Sequence, residues 1–331
     1  MEKVRWGLLS TAKINRRLIP AIRDSKRGEL VAVASRNLET AKAYAREWKI
    51  PLAFGSYEEM LTSGKVDAVY ISLPNHLHAD WSIRAVQTGC HVLCEKPLAL
   101  STQEVRQMIA ASLQTGKTIA EAFMYRHHPQ TQIAKEWVES QRLGEVTSVY
   151  GVFTFALEER QNVRLVPEYG GGALWDVGVY PISFAQYLLG GAPAWVAGAQ
   201  WLGQSGVDET FAGLMVYPGN RLATFTCGFR SPWYTRFEIV GTKGRLDLSR
   251  PFAGMHEGRH MIFYPEKGAP VEVPVPEVEL YQGEVEDLHA VILDGASPAL
   301  SLIESLDHIR TVQALYQSAR SGQIVQLQTI E

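Results

Sequence analysis

Apolar positions in the first third of the chain come in short, near-continuous runs: VRWGLLS, GELVAVASR, PLAFGS, VDAVYISL, HVLCEK and KTIAEAF. Between them lie stretches of helical periodicity: INRRLIPAIRDS, NLETAKAYAREWK, YEEMLTSG, HADWSIRAVQTG and STQEVRQMIAASLQTG. Asn37 reads as an N-cap, Ser101 with Glu104 as a capping box, and Gly64 and Gly89 as helix stops. Pro20 marks a kink inside the first helix. Apolar strands alternating with helices predict a parallel sheet covered on both faces. Such sheets bind ligands outside the carboxyl ends of their strands, where strand order reverses. Ser10, Ser35, Leu73 and Glu95 fall at those ends.

Past residue 125 the period changes. HPQTQIAKEWVESQRLG reads as a helix, followed by longer alternating runs: VTSVYGVFTFAL, AWVAGAQWLG, ETFAGLMVY, RLATFTCGF, TRFEIVGT and GRLDLS. One glycine-rich loop with a helix, YGGGALWDVGVYPISFAQYLLG, interrupts them, and LSLIESLDHIRTVQALYQSARSG reads as an amphipathic helix. This predicts an α+β domain with a large, mainly antiparallel open sheet. A chain of 331 residues is long enough for two cores. The expected division is an α/β domain with a parallel sheet over 1–124 and a substrate-binding and oligomerisation domain over 125–331, whose C-terminal segment packs back on the first. FAGLMVY and LATFTCGF place apolar side chains on an exposed sheet face. Such faces are covered by helices or by another subunit, so a homodimer or tetramer through the C-terminal sheet is expected.

Charge and composition narrow the function classes. A formal net charge of −3 gives no general attraction to nucleic acid or an anionic membrane. No run of about 20 apolar residues suits a membrane span, and no signal-peptide core follows MEKVRWGLLS, so a cytoplasmic location is expected. The three cysteines, Cys90, Cys94 and Cys227, lack a partner pair at zinc spacing. No metal is expected, and an odd set of thiols suits a reducing compartment.

Five segments carry candidate chemistry. GLLSTAKI lies between the first strand and the first helix, where a dinucleotide pyrophosphate meets free backbone N–H groups. Ser10, Thr11, Ala12 and Ile14 are its candidate contacts, although the segment lacks G-x-G-x-x-G and an ordinary strand–helix turn reads the same way. Ser35 and Arg36 end the second strand, where an acid would hold a ribose 2′-hydroxyl and an arginine accommodates a 2′-phosphate; NADP is therefore favoured over NAD. In LPNHLH, Leu73, Pro74, Asn75 and His78 are candidate cofactor contacts, and neither His76 nor His78 is given a catalytic role. In CEKP, Glu95 can hold cofactor sugar hydroxyls and Lys96 can face the nicotinamide, and the Lys96–Pro97 bond is a candidate cis peptide; a surface turn with a charged pair is the alternative. In GGGALWDVGVYPIS, Asp176 and Tyr180 are spaced i, i+4 and would share a helix face. An acid and a phenol so placed make a proton-transfer set, against the alternative of a turn followed by a helix with a core tyrosine. Tyr125 and Arg126, at the domain crossing, and Trp175 with Asp176 are candidate substrate contacts.

Taken together, RWGLLSTAKI, VAVASRN, YISLPNHLH, CEKPLAL, EAFMYRHHPQ and GGGALWDVGVYPIS resemble the Gfo/Idh/MocA oxidoreductase family along nearly the whole chain. Tyr180 stands where many members carry histidine, which resembles the branch holding glucose–fructose oxidoreductase, dimeric dihydrodiol dehydrogenase, NADP-dependent xylose dehydrogenases and sugar ketoreductases. The resemblance implies a Rossmann-like first domain, Lys96 as catalytic lysine, Tyr180 as acid/base and Asp176 as the residue orienting substrate and lysine. It implies an NADP-dependent dehydrogenase or reductase acting on CH–OH groups of a sugar, polyol or cyclic diol, or on the matching ketone. A non-catalytic NADP-binding redox sensor and a cofactor-recycling sugar enzyme of the same superfamily are the competing readings.

Overall fold

The computed structural model describes residues 3–159, 161–253 and 258–327. In chain order the elements are β1 (Val4–Leu9), α1 (Asn15–Asp24), β2 (Gly28–Ala34), α2 (Leu38–Trp48), β3 (Leu52–Phe54), α3 (Tyr57–Thr62), β4 (Ala68–Ile71), α4 (His78–Gln87), β5 (His91–Glu95), α5 (Thr102–Thr115) and β6 (Ile119–Ala122). There follow α6 (Pro129–Glu139), β7 (Val146–Thr154), α7 (Val179–Leu189), β8 (Trp195–Leu202), β9 (Asp208–Tyr217), β10 (Arg221–Gly228), β11 (Tyr234–Gly241), β12 (Gly244–Ser249), β13 (Met261–Pro265), β14 (Val271–Glu272), α8 (Gln282–Asp294), α9 (Leu302–Ser321) and β15 (Val325–Gln326). No helix among the described residues is long and apolar enough to cross a membrane.

The chain forms two compact units: Met1–Met124 with Glu279–Ser305, and Tyr125–Val278 with Leu306–Glu331. The first carries a six-stranded parallel sheet in the order β3-β2-β1-β4-β5-β6. β1, β2 and β4 are mostly apolar and mostly buried on both faces, as a sheet with helical crossovers requires. Local signals hold the helices. Asn37 Oδ1 accepts the Thr40 N–H, Ser101 and Glu104 close a reciprocal capping box, and α1 continues through Pro20. Leu9 pairs with Ala34 on one side and Ile71 on the other, and Ile71 with Cys94. The carboxyl ends of β1, β2, β4 and β5 are thereby level, and strand order reverses between β1 and β4. The late helix α8 closes this unit: the Trp6 indole N–H donates to His289 Nε2 at 2.9 Å.

The second unit is built on a nine-stranded sheet in the order β14-β13-β12-β11-β7-β10-β9-β8-β15. Neighbours run antiparallel except β7 and β10. One face packs on α7, whose residues are nearly all buried. Gly151 of β7 permits that approach, since a β-carbon there would lie 2.5 Å from Pro181 Cβ. The other face shows Tyr150, Trp201, Leu222 and Tyr234, each more than 40% exposed, and Tyr150 and Tyr234 edge a trough of about 620 Å³ floored by Gly151, Gly198, Gly213, Ala199 and Ala212.

Candidate active site

The first unit's rim begins at Ser10, which follows β1. Its φ is +152°, a region that residues with a β-carbon rarely enter. The missing glycine of the dinucleotide fingerprint is thus replaced in side chain but not in backbone shape. A buried polar network holds the serine there. Its Oγ accepts the Ala12 N–H at 3.1 Å and lies 2.7 Å from Ser72 Oγ. Ser72 donates to Asn15 Oδ1 at 2.6 Å, and Asn15 Nδ2 donates to the Ser10 carbonyl at 2.8 Å. The Ser10 hydroxyl is therefore engaged within the chain, and the loop offers Thr11 and Ala12, both half-exposed. The α1 N-terminus has no side-chain cap and no acid in its first turn, which suits an anion. Asn15 and Ser72 were invisible as a pair in the sequence, lying 57 positions apart.

Arg36, just past β2, is exposed. Among the described residues none forms a hydrogen bond or ion pair with its guanidinium. The nearby acid Glu39 is paired with Lys42 at 3.0 Å. An unpaired cation at this strand end matches a 2′-phosphate rather than a 2′-hydroxyl.

Leu73, Pro74 and Asn75 lead into a 3₁₀ turn on the rim. His78, expected to touch the cofactor, is only 1% exposed. Its Nδ1 lies 2.8 Å from the Pro97 carbonyl and its Nε2 2.7 Å from the Leu73 carbonyl. Burial lowers its pKa, opposed by the two carbonyl acceptors. The imidazole ties two rim loops together. The Lys96–Pro97 bond is cis, and Lys96 is half-buried. Glu121 of β6, buried, accepts the Leu98 N–H at 2.9 Å and the Ser305 hydroxyl at 2.7 Å. Glu95 accepts from the Tyr70 hydroxyl and from the Lys96 N–H at 3.3 Å. Glu284 of α8 is 2% exposed; burial, then the charge of Glu95, pushes its carboxyl well above the ordinary range. Glu121 was the single charge in an apolar strand, a signal that was available in the sequence and not used.

In the second unit Asp176 lies in a π-helical turn, Leu174–Gly178, instead of the expected α-helix. The Val179 N–H reaches back to the Leu174 carbonyl, and such wide turns gather at functional sites. Gly178 lets the turn lie on β10, since a β-carbon there would meet Cys227 Sγ at 2.8 Å. The Asp176 carboxylate accepts from Arg164 Nε at 2.6 Å, a partner the sequence reading missed. Tyr180, in the first turn of α7, is 5% exposed and packs against Phe153, Phe252 and Tyr125, with ring centroids 5.4, 5.7 and 5.9 Å away. Tyr125 and Arg126, expected to line a substrate site, are both buried. Tyr125 is fully buried with its hydroxyl 2.8 Å from Ser183 Oγ, and the Arg126 guanidinium lies 3.6 Å over the Tyr187 ring. Trp175 is 8% exposed with its ring against Tyr316.

Comparison with known proteins agrees with both units. Residues 4–123 match the oxidoreductase family with an NAD-binding Rossmann fold, and residues 131–247 match the GFO/IDH/MocA C-terminal domain. The chain is 37% identical over 324 residues to D-xylose 1-dehydrogenase (NADP(+)) 2 of Haloferax volcanii, covering 97% of this chain and 99% of that one. It is 32% identical over 247 residues to trans-1,2-dihydrobenzene-1,2-diol dehydrogenase of Xenopus laevis, covering 74% of each. Among solved structures, aldose-aldose oxidoreductase from Caulobacter crescentus, complexed with glycerol, superposes with a TM-score of 0.90 at 26% identity, over 98% of this chain and 100% of that one. A 3-ketoreductase from Actinomadura kijaniata with NADP and TDP-benzene gives 0.90 at 28% identity, over 96% and 98%.

Proposed function

Because the chain belongs to the Gfo/Idh/MocA oxidoreductase family, we propose that it is an NADP-dependent dehydrogenase or reductase acting on a CH–OH carbon, or the matching ketone, of a sugar, polyol or cyclic diol. The observation that carries the cofactor preference is the exposed, unpaired Arg36 at the end of β2, with Glu39 already held by Lys42. The uncapped α1 N-terminus and the Ser10 backbone suit the pyrophosphate. The substrate class rests on the relatives, which act on xylose and on a cyclic diol by their names.

NADP(H), when bound, takes or supplies a hydride at nicotinamide C4. In the oxidising direction the Tyr180 oxygen takes the proton of the substrate hydroxyl while the carbon loses its hydride, leaving a carbonyl; in reduction the same proton returns to the oxygen. The Lys96 ammonium stabilises the tyrosinate and the negative charge that develops on the substrate oxygen. Asp176, fixed by Arg164, accepts a substrate hydroxyl and orients it. Copies of the chain pair through the open face of the nine-stranded sheet.

The test is absorbance at the NADPH band with purified protein, NADP and a panel of aldoses, inositols and cyclic diols, beside Tyr180→Phe. Reduction of NADP with one substrate class is expected, with kcat lower by roughly 10²-fold or more in the variant. NADP binding without turnover on any panel member, including ketones with NADPH, would replace this reading with a redox sensor. A sugar converted with no net absorbance change would indicate a recycling enzyme.

A further inference from the structure

The π turn that carries Asp176 begins at a buried charge. Asp208, the first residue of β9, is 2% exposed. Its Oδ2 accepts the Leu174 N–H at 2.7 Å and its Oδ1 accepts the Tyr316 hydroxyl at 2.7 Å. The Ala173 backbone also favours the charged form of this carboxyl. Tyr316 comes from α9, and its ring packs on Trp175 at 5.7 Å and Phe211 at 5.6 Å between centroids. Gly172 makes room for this arrangement. It sits at φ +124°, and a β-carbon there would lie 2.2 Å from Asp208 Oδ1 and 2.8 Å from the Tyr316 oxygen. Strand β9, helix α9 and the glycine-rich loop thus meet at one carboxylate.

We propose that Asp208, held by Tyr316, is a positioning residue that fixes the start of the π turn and so the direction of the Asp176 carboxylate; this rests on the role given to Asp176 above. Helix starts are ordinarily capped by an exposed hydroxyl, amide or acid. Burying a carboxylate for that purpose is costly, and an exposed cap would serve stability alone. What the buried charge adds is acceptance of two donors at once from two directions, one on each oxygen. An asparagine in its place turns an NH₂ group towards at least one of those donors. The turn must then shift, or Tyr316 must reverse its hydroxyl. A carboxylate displaced by a fraction of an ångström keeps the fold and loses the aligned geometry that catalysis needs.

The experiment is a double-mutant cycle in the full chain with the substrate found by the panel: wild type, Asp208→Asn, Asp176→Asn and the pair, with Tyr316→Phe as a milder probe that removes one donor. NADPH affinity by fluorescence and thermal midpoint are read beside kcat and KM. Asp208→Asn is expected to lower kcat about tenfold or more while NADPH affinity and thermal midpoint hold, and to lower it little further once Asp176 is already Asn. Tyr316→Phe is expected to lower kcat less, in the same pattern. Wild-type kcat in Asp208→Asn, or an equal factor lost with and without Asp176, overturns the proposal, as does a loss of kcat that follows a loss of folded protein. If instead Asp176→Asn and Tyr180→Phe both leave activity intact, it is the catalytic reading that fails. Loss in those two beside wild-type Asp208→Asn refutes the positioning role alone.

Discussion

Burial pushes the carboxyl of Asp208 up from 3.8 to about 6, against the pull of Tyr316 and the backbone of Leu174 and Ala173. A folded-state pKa above the unfolded one means that the folded protein holds the proton more tightly. Its contribution to stability is fully present below about pH 4 and is lost as pH rises through about 6. A shift of that size corresponds to about 3 kcal/mol at most. Stability of the wild type relative to Asp208→Asn is therefore expected to fall between about pH 4 and pH 6 and to stay level above that, which paired urea titrations from pH 4 to pH 8 would measure; a flat difference would show that the group does not titrate there. Residues of this kind were the least legible in the sequence. Arg36, Lys96, Asp176 and Tyr180 stood out because each follows a strand end or sits in a glycine-rich segment. Asp208, Glu284 and the Asn15–Ser72 pair take their meaning from partners that are 34 to 108 residues away in the cases of Leu174, Asn15 and Tyr316, which no local pattern encodes. His78 and Tyr125 show the opposite case. A polar residue beside a rim motif looked like a ligand contact, and the fold used it for internal hydrogen bonds.

Among the elements, those with local signals were readable and those that depend on packing were not. The α2 N-cap and the α5 capping box lie in the sequence itself. Helix α8 escaped notice because two of its buried positions are Glu284 and His289, so its inward face does not look apolar. The turn over Asp176 reads as α-helix by residue type; its wider winding depends on Cys227, Asp208 and the bare Gly178. Packing also sets the spacing of α7 from β7. With 2.5 Å available between a new β-carbon at 151 and Pro181 Cβ, Gly151→Ala must push apart the strand and the helix that bears Tyr180. A destabilisation of about 1–3 kcal/mol is expected, with a loss of kcat beyond the loss of folded protein. Urea unfolding and activity per folded molecule would show it; a variant as stable and active as wild type would mean that α7 can slide along the sheet.

For the whole molecule, the change of period past residue 125 placed both sheets correctly, parallel then mainly antiparallel. A linear reading expects the C-terminal segment to pack back on the first unit but does not say where that segment divides: Glu279–Ser305 belongs to the first unit, through contacts such as Trp6 with His289, 283 residues apart. The open face of the second sheet was legible in part, because its alternating apolar residues could be counted but their arrangement could not. Tyr150 and Tyr234 stand beside a glycine- and alanine-floored trough, with Trp201 and Leu222 on the same sheet. Bulky rims beside a small-residue floor on one patch suit a two-fold partner, since each copy can set its aromatic residues in the other's trough. Charging the patch with Tyr150→Glu and Leu222→Glu should leave the core untouched, as both side chains are more than 40% exposed. It should move the protein from dimer or tetramer to monomer in analytical ultracentrifugation, with retained NADPH binding as the check on folding. A wild type that sediments as a monomer at micromolar concentration, or a charged variant that stays assembled, would assign the face to some other task.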